Sequence, residues 1–263
     1  MWTVEKKFYT RRSVDRFLEG GTSLKAFAKT DIGARRTTNQ DYVFCSVEPV
    51  GNLPNLFIVA DGMGGHKAGD LASRYTVEQF LEVARNTDET NPITVIEKSI
   101  EKANKMLIEK SKESIDYEGM GTTFVVCTVI GEQIYIANVG DSRLYLVNNE
   151  IQQITRDHSL VEEMITLGEI DRKNARTHEK KNIITRAVGV DSEVIPDFFE
   201  IDYAKGDIIL MCSDGLSNMI EDEDMRDIIH QSGELEEKAD RLIEVANING
   251  GRDNISVVLV QPD

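Results

Sequence analysis

The sequence predicts an α+β fold in which sheet packs on sheet and helices cover the outside. Three observations predict it. Apolar strand-like runs come in blocks, separated by short turns containing Gly and Asn, which favours antiparallel neighbours. Helical periodicities come in pairs between those blocks, which excludes a regular βαβα winding. No run approaches the roughly 20 apolar residues of a membrane span. With 40% hydrophobic and 29% charged residues, the composition is instead that of an ordinary globular chain.

Residues 1–21 are mixed in charge, mildly basic, and close on Gly20 and Gly21. They contain no apolar stretch of the kind a secretory signal carries. They read as an N-terminal extension, an arm or short helix, in front of one domain spanning 22–263. Strands are expected in "LKAFAKTDIG" (24–33), "DYVFCSVE" (41–48) and "NLFIVADG" (55–62). Val77, Phe80, Leu81 and Ala84 then recur at helical spacing, as do Ile96, Ile100, Ala103 and Leu107. A second block of strands follows in "GTTFVVCTVIG" (121–131), "QIYIANVG" (133–140) and "SRLYLVNN" (142–149). Residues 158–194 are polar, with one short helix in "SLVEEMITLG", and read as a long irregular excursion of the kind that often serves function. One more strand, "DIILMCSDG" (207–215), two helices near 221–231 and 234–247, and a last strand, "NISVVLVQ" (254–261), complete the chain.

The net charge of −16 argues against broad binding to nucleic acid or to a membrane surface. It would also repel an anionic substrate at long range, so a phosphate site would need its own local positive charge. Cys45, Cys127 and Cys212 lie in apolar runs and read as reduced core residues, which points to the cytoplasm.

The acids attached to apolar runs stand apart from those on solvated helix faces. "FIVADG" and "ILMCSDG" each end a strand in Asp-Gly, at Asp61-Gly62 and Asp214-Gly215. Asp253 opens the last strand, Asp41 opens "DYVFCSV", and Asp141 follows "IYIANVG". A single Asp-Gly is ordinarily a turn. Several carboxylates at the strand ends of one sandwich would repel one another, and burial would worsen the repulsion. A hard divalent cation, Mg²⁺ or Mn²⁺, resolves both problems with oxygen ligands alone. No Cys/His spacing suits zinc. Arg36, five residues before Asp41, is the candidate phosphate-binding guanidinium, with Arg35 as its competitor.

In order and spacing, "DIGARRTTNQD" (31–41), "VADGMGGHKAG" (59–69), "GTT" (121–123), "NVGDSR" (138–143), "DHS" (157–159), "ITRAVG" (184–189), "CSDGL" (212–216) and "GGRDNISV" (250–257) resemble the metal-dependent protein phosphatases of the PPM class, the type 2C serine/threonine phosphatases, in their compact bacterial form. The resemblance covers about residues 23–262. It implies a four-layer α-β-β-α sandwich, two antiparallel sheets flanked by helix pairs. It implies a site of two Mn²⁺ or Mg²⁺ ions, with a weaker third, at one edge. Asp61 would bridge two metals, with the Gly62 carbonyl completing one site and Asp214 and Asp253 holding the other. Asp141 would join Asp214 at the third. Asp41 would orient metal-bound waters, Arg36 would bind the substrate phosphate, and the excursion near 158–185 would be a flap beside the site. Phosphoserine and phosphothreonine in proteins would be hydrolysed by direct attack of a metal-bridging water.

Animal members often place a histidine, a proposed general acid, directly after the first Asp-Gly. Here that position is Met63, and His66 is the nearest replacement. Such an enzyme would act as a cytoplasmic monomer on phosphorylated proteins, opposing a serine/threonine kinase, without nucleic acid or a membrane span. Two rival readings share the fold: a catalytically dead binding module, disfavoured because Arg36 and the acid set are all present, and a phosphatase of small phosphate esters.

Overall fold

The computed structural model describes residues 16–17, 23–65, 68–175 and 178–262. The first sheet runs in the order β1 (Arg16–Phe17), β2 (Ser23–Asp31), β12 (Ile255–Pro262), β11 (Ile208–Cys212), β8 (Arg143–Val147) and β9 (Ile151–Gln153). The second runs β10 (Asp197–Asp202), β7 (Gln133–Val139), β6 (Phe124–Ile130), β4 (Leu56–Met63) and β3 (Asp41–Ser46), with β5 (Gly121–Thr122) paired to the end of β4. Every pairing within the two sheets is antiparallel.

Three apolar layers hold these sheets and their helices together, and strand alternation sorts residues among them. Phe57, Val59, Val125, Cys127, Met211, Val258 and Val260 fill the space between the sheets. Their neighbours Ile58, Ala60 and Val126 face outward under α1 (Ala68–Asn86) and α2 (Pro92–Ser111), where they meet Phe80, Leu81, Ile96 and Leu107. On the other side, Leu210, Val257 and Leu259 meet α6 (Asp222–Ile229) and α7 (Leu235–Ile248) through Met225, Leu242 and Ala246. The fold is therefore an α-β-β-α sandwich. Helix starts follow local chemistry. Asn91 caps α2 by accepting from Thr94 N ahead of Pro92, and Glu234 and Glu237 form a capping box on α7.

Three features differ from the sequence reading. Residues 16–17, assigned to the N-terminal extension, form β1 against β2; the rest of 1–21 lies outside the described residues. Asp197–Asp202 forms an edge strand at the end of the polar excursion. Its apolar residues point both ways, Phe198 under the helices and Phe199 and Ile201 between the sheets, so no clean alternation marks it. The excursion holds the expected short helix as α3 (Leu160–Thr166), and beyond it an unexpected single turn, α4 (Arg172–Ala175).

Cys127 and Cys212 are buried and Cys45 half-buried, and none of the three is in a disulfide. Burial pushes the Cys212 thiol up to about 12 and Cys127 higher still, so both are inert.

Candidate active site

The register of β3 on β4 sets Asp41 directly opposite Asp61. The backbone around Asp61 is held on both sides. Asp61 N donates to Thr123 Oγ1 at 2.9 Å, and its carbonyl accepts from Thr122 Oγ1 at 2.9 Å and Thr123 N at 2.9 Å. From the other sheet, Asp214 opens the one-turn helix α5 (Asp214–Ser217) directly after β11, and Asp253 lies two residues before β12. Asp141 follows the end of β7 and is buried.

Neither Asp-Gly is a turn. Gly62 continues β4 and Gly215 lies in α5, and neither has a positive φ. Both are glycines for close approach. A Cβ on Gly62 would sit on the Gly69 and Gln40 carbonyl oxygens, and one on Gly215 on the Asn254 carbonyl oxygen. Neighbouring backbone thus presses directly on the residue beside each acid.

The five acids act on one another. Burial, then Asp41, Asp214, Asp141 and Asp253 in turn, hold the Asp61 carboxyl well above the usual range. Burial also pushes Asp41 up to about 7, against two hydrogen bonds from Ser213 and Ser256 that favour the charged form. Asp214 is raised to about 6 by burial and Asp253, partly offset by Lys181, by the close approach of the Asp61 carboxyl and by Arg143. Burial and Asp214 raise Asp141, against Arg143.

No three of the His, Cys, Asp and Glu side chains among the described residues form a ready-made ion cage. Protein partners take both oxygens of Asp253, through Arg36 Nη2 to Oδ2 at 2.7 Å and Asn254 N to Oδ1 at 2.9 Å, but one oxygen each of Asp214, through Asn218 Nδ2 to Oδ2 at 2.9 Å, and of Asp41, through both serine hydroxyls to Oδ2 at 2.7 Å. Two oxygens are left over. Asp41 Oδ1 and Asp214 Oδ1 are buried without a hydrogen-bond partner. An orphaned buried carboxylate oxygen costs about 1–3 kcal/mol or more. Two of them among mutually repelling acids fit a divalent cation, with oxygen-only donors of the hard type.

The structure therefore brings together Arg36, Asp41, Asp61, Gly62, Asp141, Asp214 and Asp253. His66 lies outside the described residues. Arg36 rather than Arg35 faces the acids: the Asp253 contact, with Asp61 and Asp214 nearby, raises its pKa. Sequence reasoning missed Ser213, Ser256, Asn218 and Lys181. Lys181, in the excursion, reaches Asn218 Oδ1 at 3.3 Å and so places that segment beside Asp214. Arg143, forked onto Asp157 at 2.7–3.1 Å, is a fixed, largely buried cation near Asp141 and Asp214.

The family model for protein phosphatase 2C matches residues 33–250. The serine/threonine phosphatase stp of Listeria monocytogenes serotype 4b is 43% identical over 242 residues, covering 89% of this chain and 94% of that protein. The solved S. agalactiae serine/threonine phosphatase is 38% identical with a TM-score of 0.84, over 90% of this chain and 99% of that one. The catalytic domain of the serine/threonine protein phosphatase PstP, solved in complex with two manganese ions, is 31% identical with a TM-score of 0.80, over 92% and 99% of the two chains. The chain belongs to the protein phosphatase 2C family of serine/threonine protein phosphatases.

Proposed function

We propose that this chain hydrolyses phosphoserine and phosphothreonine in proteins by direct transfer of the phosphoryl group to water, at a centre for two Mn²⁺ or Mg²⁺ ions. Asp61, the Gly62 carbonyl, Asp214 and Asp253 would hold those ions, and Asp141 with Asp214 a weaker third. The observation that carries the reading is the pair of orphaned buried oxygens on Asp41 and Asp214 within a cluster of mutually repelling acids. PstP, solved with two manganese ions, supports the ion count. Divalent ions bound there would offset the phosphoryl charge, lower the pKa of water, and reverse the local sign of a chain carrying a net charge of −16.

The chain's own residues supply the rest. The Arg36 side chain is 48% exposed, so its guanidinium can leave Asp253 and take two phosphoryl oxygens. Asp41, fixed by Ser213 and Ser256, orients the attacking water and can accept its proton. As the P–O bond to water forms, the P–O bond to the substrate oxygen breaks. That oxygen needs a proton, and the Met63 thioether has none to give. His66 is the proposed donor. Substrates would be phosphoproteins of a serine/threonine kinase, met by a monomer in the cytoplasm. No helix among the described residues is long and apolar enough to cross a membrane.

One experiment tests the reading. A phosphoserine peptide and an aryl phosphate are hydrolysed by wild type, Asp214→Asn and His66→Ala, with Mn²⁺, with Mg²⁺ and with chelator. Expected are dependence on the cation, a loss of about 10²–10³-fold in Asp214→Asn, and a His66→Ala loss confined to the peptide. Activity that survives chelation refutes the metal centre. Equal His66→Ala losses on both substrates remove His66 as the acid, because an aryl oxygen leaves without one.

A further inference from the structure

Segment 188–196 joins the excursion to β10 along the edge of the sandwich that carries the site. At one end it adds to the strands beside Asp61. Val188 exchanges two backbone hydrogen bonds with Thr122 at 2.9 and 3.0 Å, and Thr122 itself holds the Asp61 carbonyl. Met63 and Val190 both close on Gly121: a Cβ there would meet Val190 Cγ2 at 3.0 Å and Met63 Cγ at 3.6 Å. At the other end the segment forms one wall of a groove of about 340 Å³ against α2, lined by Val194, Ile195, Pro196 and Phe198 and rimmed by Glu97, Glu101, Glu193 and Lys105.

Two features set this surface apart from an ordinary loop. Val190 and Ile195 present large apolar side chains at 57% and 69% exposure. The backbone that carries them is nonetheless pinned. Asn104, buried in α2, accepts from Gly189 N at 2.6 Å and donates to the Asp191 carbonyl at 2.9 Å. A buried amide committed to an exposed loop holds a surface in its binding shape, which cuts the ordering cost on association. Three acids against one lysine give the rim a net negative charge, so it favours a cationic occupant. The apolar wall favours an aliphatic one.

We propose that this track is the docking site for the phosphoprotein substrate, and that it selects a basic residue next to an aliphatic one, about four residues from the phosphorylated side chain. The proposal rests on the protein phosphatase reading of the site. The spacing follows from the sheet: β4, β6, β7 and β10 are successive neighbours, and three strand steps at about 4.8 Å make roughly 14 Å, which about four extended residues span. Continuity with the site identifies the occupant as substrate. A cationic flank would also counter the repulsion between a phosphorylated segment and an acidic enzyme.

The test uses phosphothreonine peptides with a Lys-Leu pair four residues before or after the phosphothreonine, and matched peptides with Glu-Ser in its place. Wild type at saturating Mn²⁺ should favour one Lys-Leu peptide about tenfold in kcat/KM, through KM. The ratio between matched peptides is read within each variant, so a general loss of activity cancels. It should fall to within twofold in Glu97→Gln/Glu101→Gln/Ile195→Ser and invert in Glu97→Lys/Glu101→Lys. A wild-type ratio near one, or a ratio unchanged in both variants, overturns the docking site. Hydrolysis of para-nitrophenyl phosphate without hydrolysis of any phosphopeptide would instead overturn the reading on which it rests.

Discussion

Asp41 and Asp61 reach the candidate site on extended strands, paired opposite each other within one sheet, and their partners are buried: the ladder itself, Thr122, Thr123, Ser213 and Ser256. Asp214 and Asp253 come from the other sheet, one on a single helical turn and one in a loop. Asn218 takes one oxygen of Asp214, while Asp253 is held by the Asn254 backbone N–H and by the half-exposed Arg36, which can move away. One half of the site is thus a fixed seat, and the other a clamp with one adjustable member, Arg36. The difference teaches why the two halves need each other. A pair of carboxylates fixed in one ladder cannot relax its own repulsion, so a cation that relieves it would also draw on Asp214 and Asp253 from the opposite sheet.

The sharpest way to break this comparison is to neutralise one acid from each half. Asp61→Asn removes the acid that all four others press upon. It should cost on the order of 10³-fold in kcat, with no recovery at high Mn²⁺. Asp253→Asn removes an acid already shared with Arg36, and should cost about 10–100-fold, with partial recovery as Mn²⁺ rises. Steady-state kinetics across a Mn²⁺ titration measure both. If Asp253→Asn is as dead as Asp61→Asn at saturating Mn²⁺, the clamp is as fixed as the seat.

A smaller effect sharpens the description of the seat. Ser213 and Ser256 both donate to the same oxygen of Asp41 at 2.7 Å, and both come from the opposite sheet. They lock the two halves at the depth of the core. Ser213→Ala or Ser256→Ala alone should weaken activity about 10–100-fold. Losing a donor to the charged form should also push the Asp41 carboxyl further up. The acid limb of the kcat/KM profile then moves to higher pH in either variant. An unmoved limb would mean that Asp41 does not set it.

These serines also mark where the sequence stops being readable. The strands that end in acids, the two helix pairs and the metal-suited acid set were legible, because each rests on apolar periodicity or on residue type. The serines were not, although a signal existed. Ser256 shares strand parity with Val258 and Val260, which face the inter-sheet core, so a hydroxyl in that row required a buried partner. Nothing in the order of residues named Asp41 as that partner, since the contact spans 215 positions. The strand Asp197–Asp202 was hidden because its apolar residues serve two layers. The packing role of the glycines of both Asp-Gly pairs was not legible either. They make room for neighbouring carbonyls, and only the packed sheets supply those.

Asp141 belongs to neither half, and the way it is held suggests the smallest effect. Its neighbour Gly140 is tied to His158 twice: Gly140 N donates to His158 Nδ1 at 3.1 Å, and His158 N donates to the Gly140 carbonyl at 2.9 Å. With Nδ1 accepting, the imidazole proton sits on Nε2, 3.1 Å from Asp197 Oδ2, and Arg186 holds Asp197 from the far side at 2.7 Å. Burial lowers the His158 pKa, outweighing Asp197, and protonation would remove the acceptor that Gly140 uses. The unfolded chain takes up a proton near pH 6.5 while the folded chain resists it. His158 therefore makes stability fall as pH drops from about 6.5 toward its folded value, and contributes no slope above. His158→Ala should be less stable by about 1–3 kcal/mol at pH 7.5, because it strands the Gly140 N–H. The gap to wild type should narrow steadily as pH falls below about 6.5. Denaturant unfolding of both proteins in chelator at pH 7.5, 6.5 and 5.5 measures it. A gap that is constant with pH would show that His158 braces the Asp141 loop by packing alone.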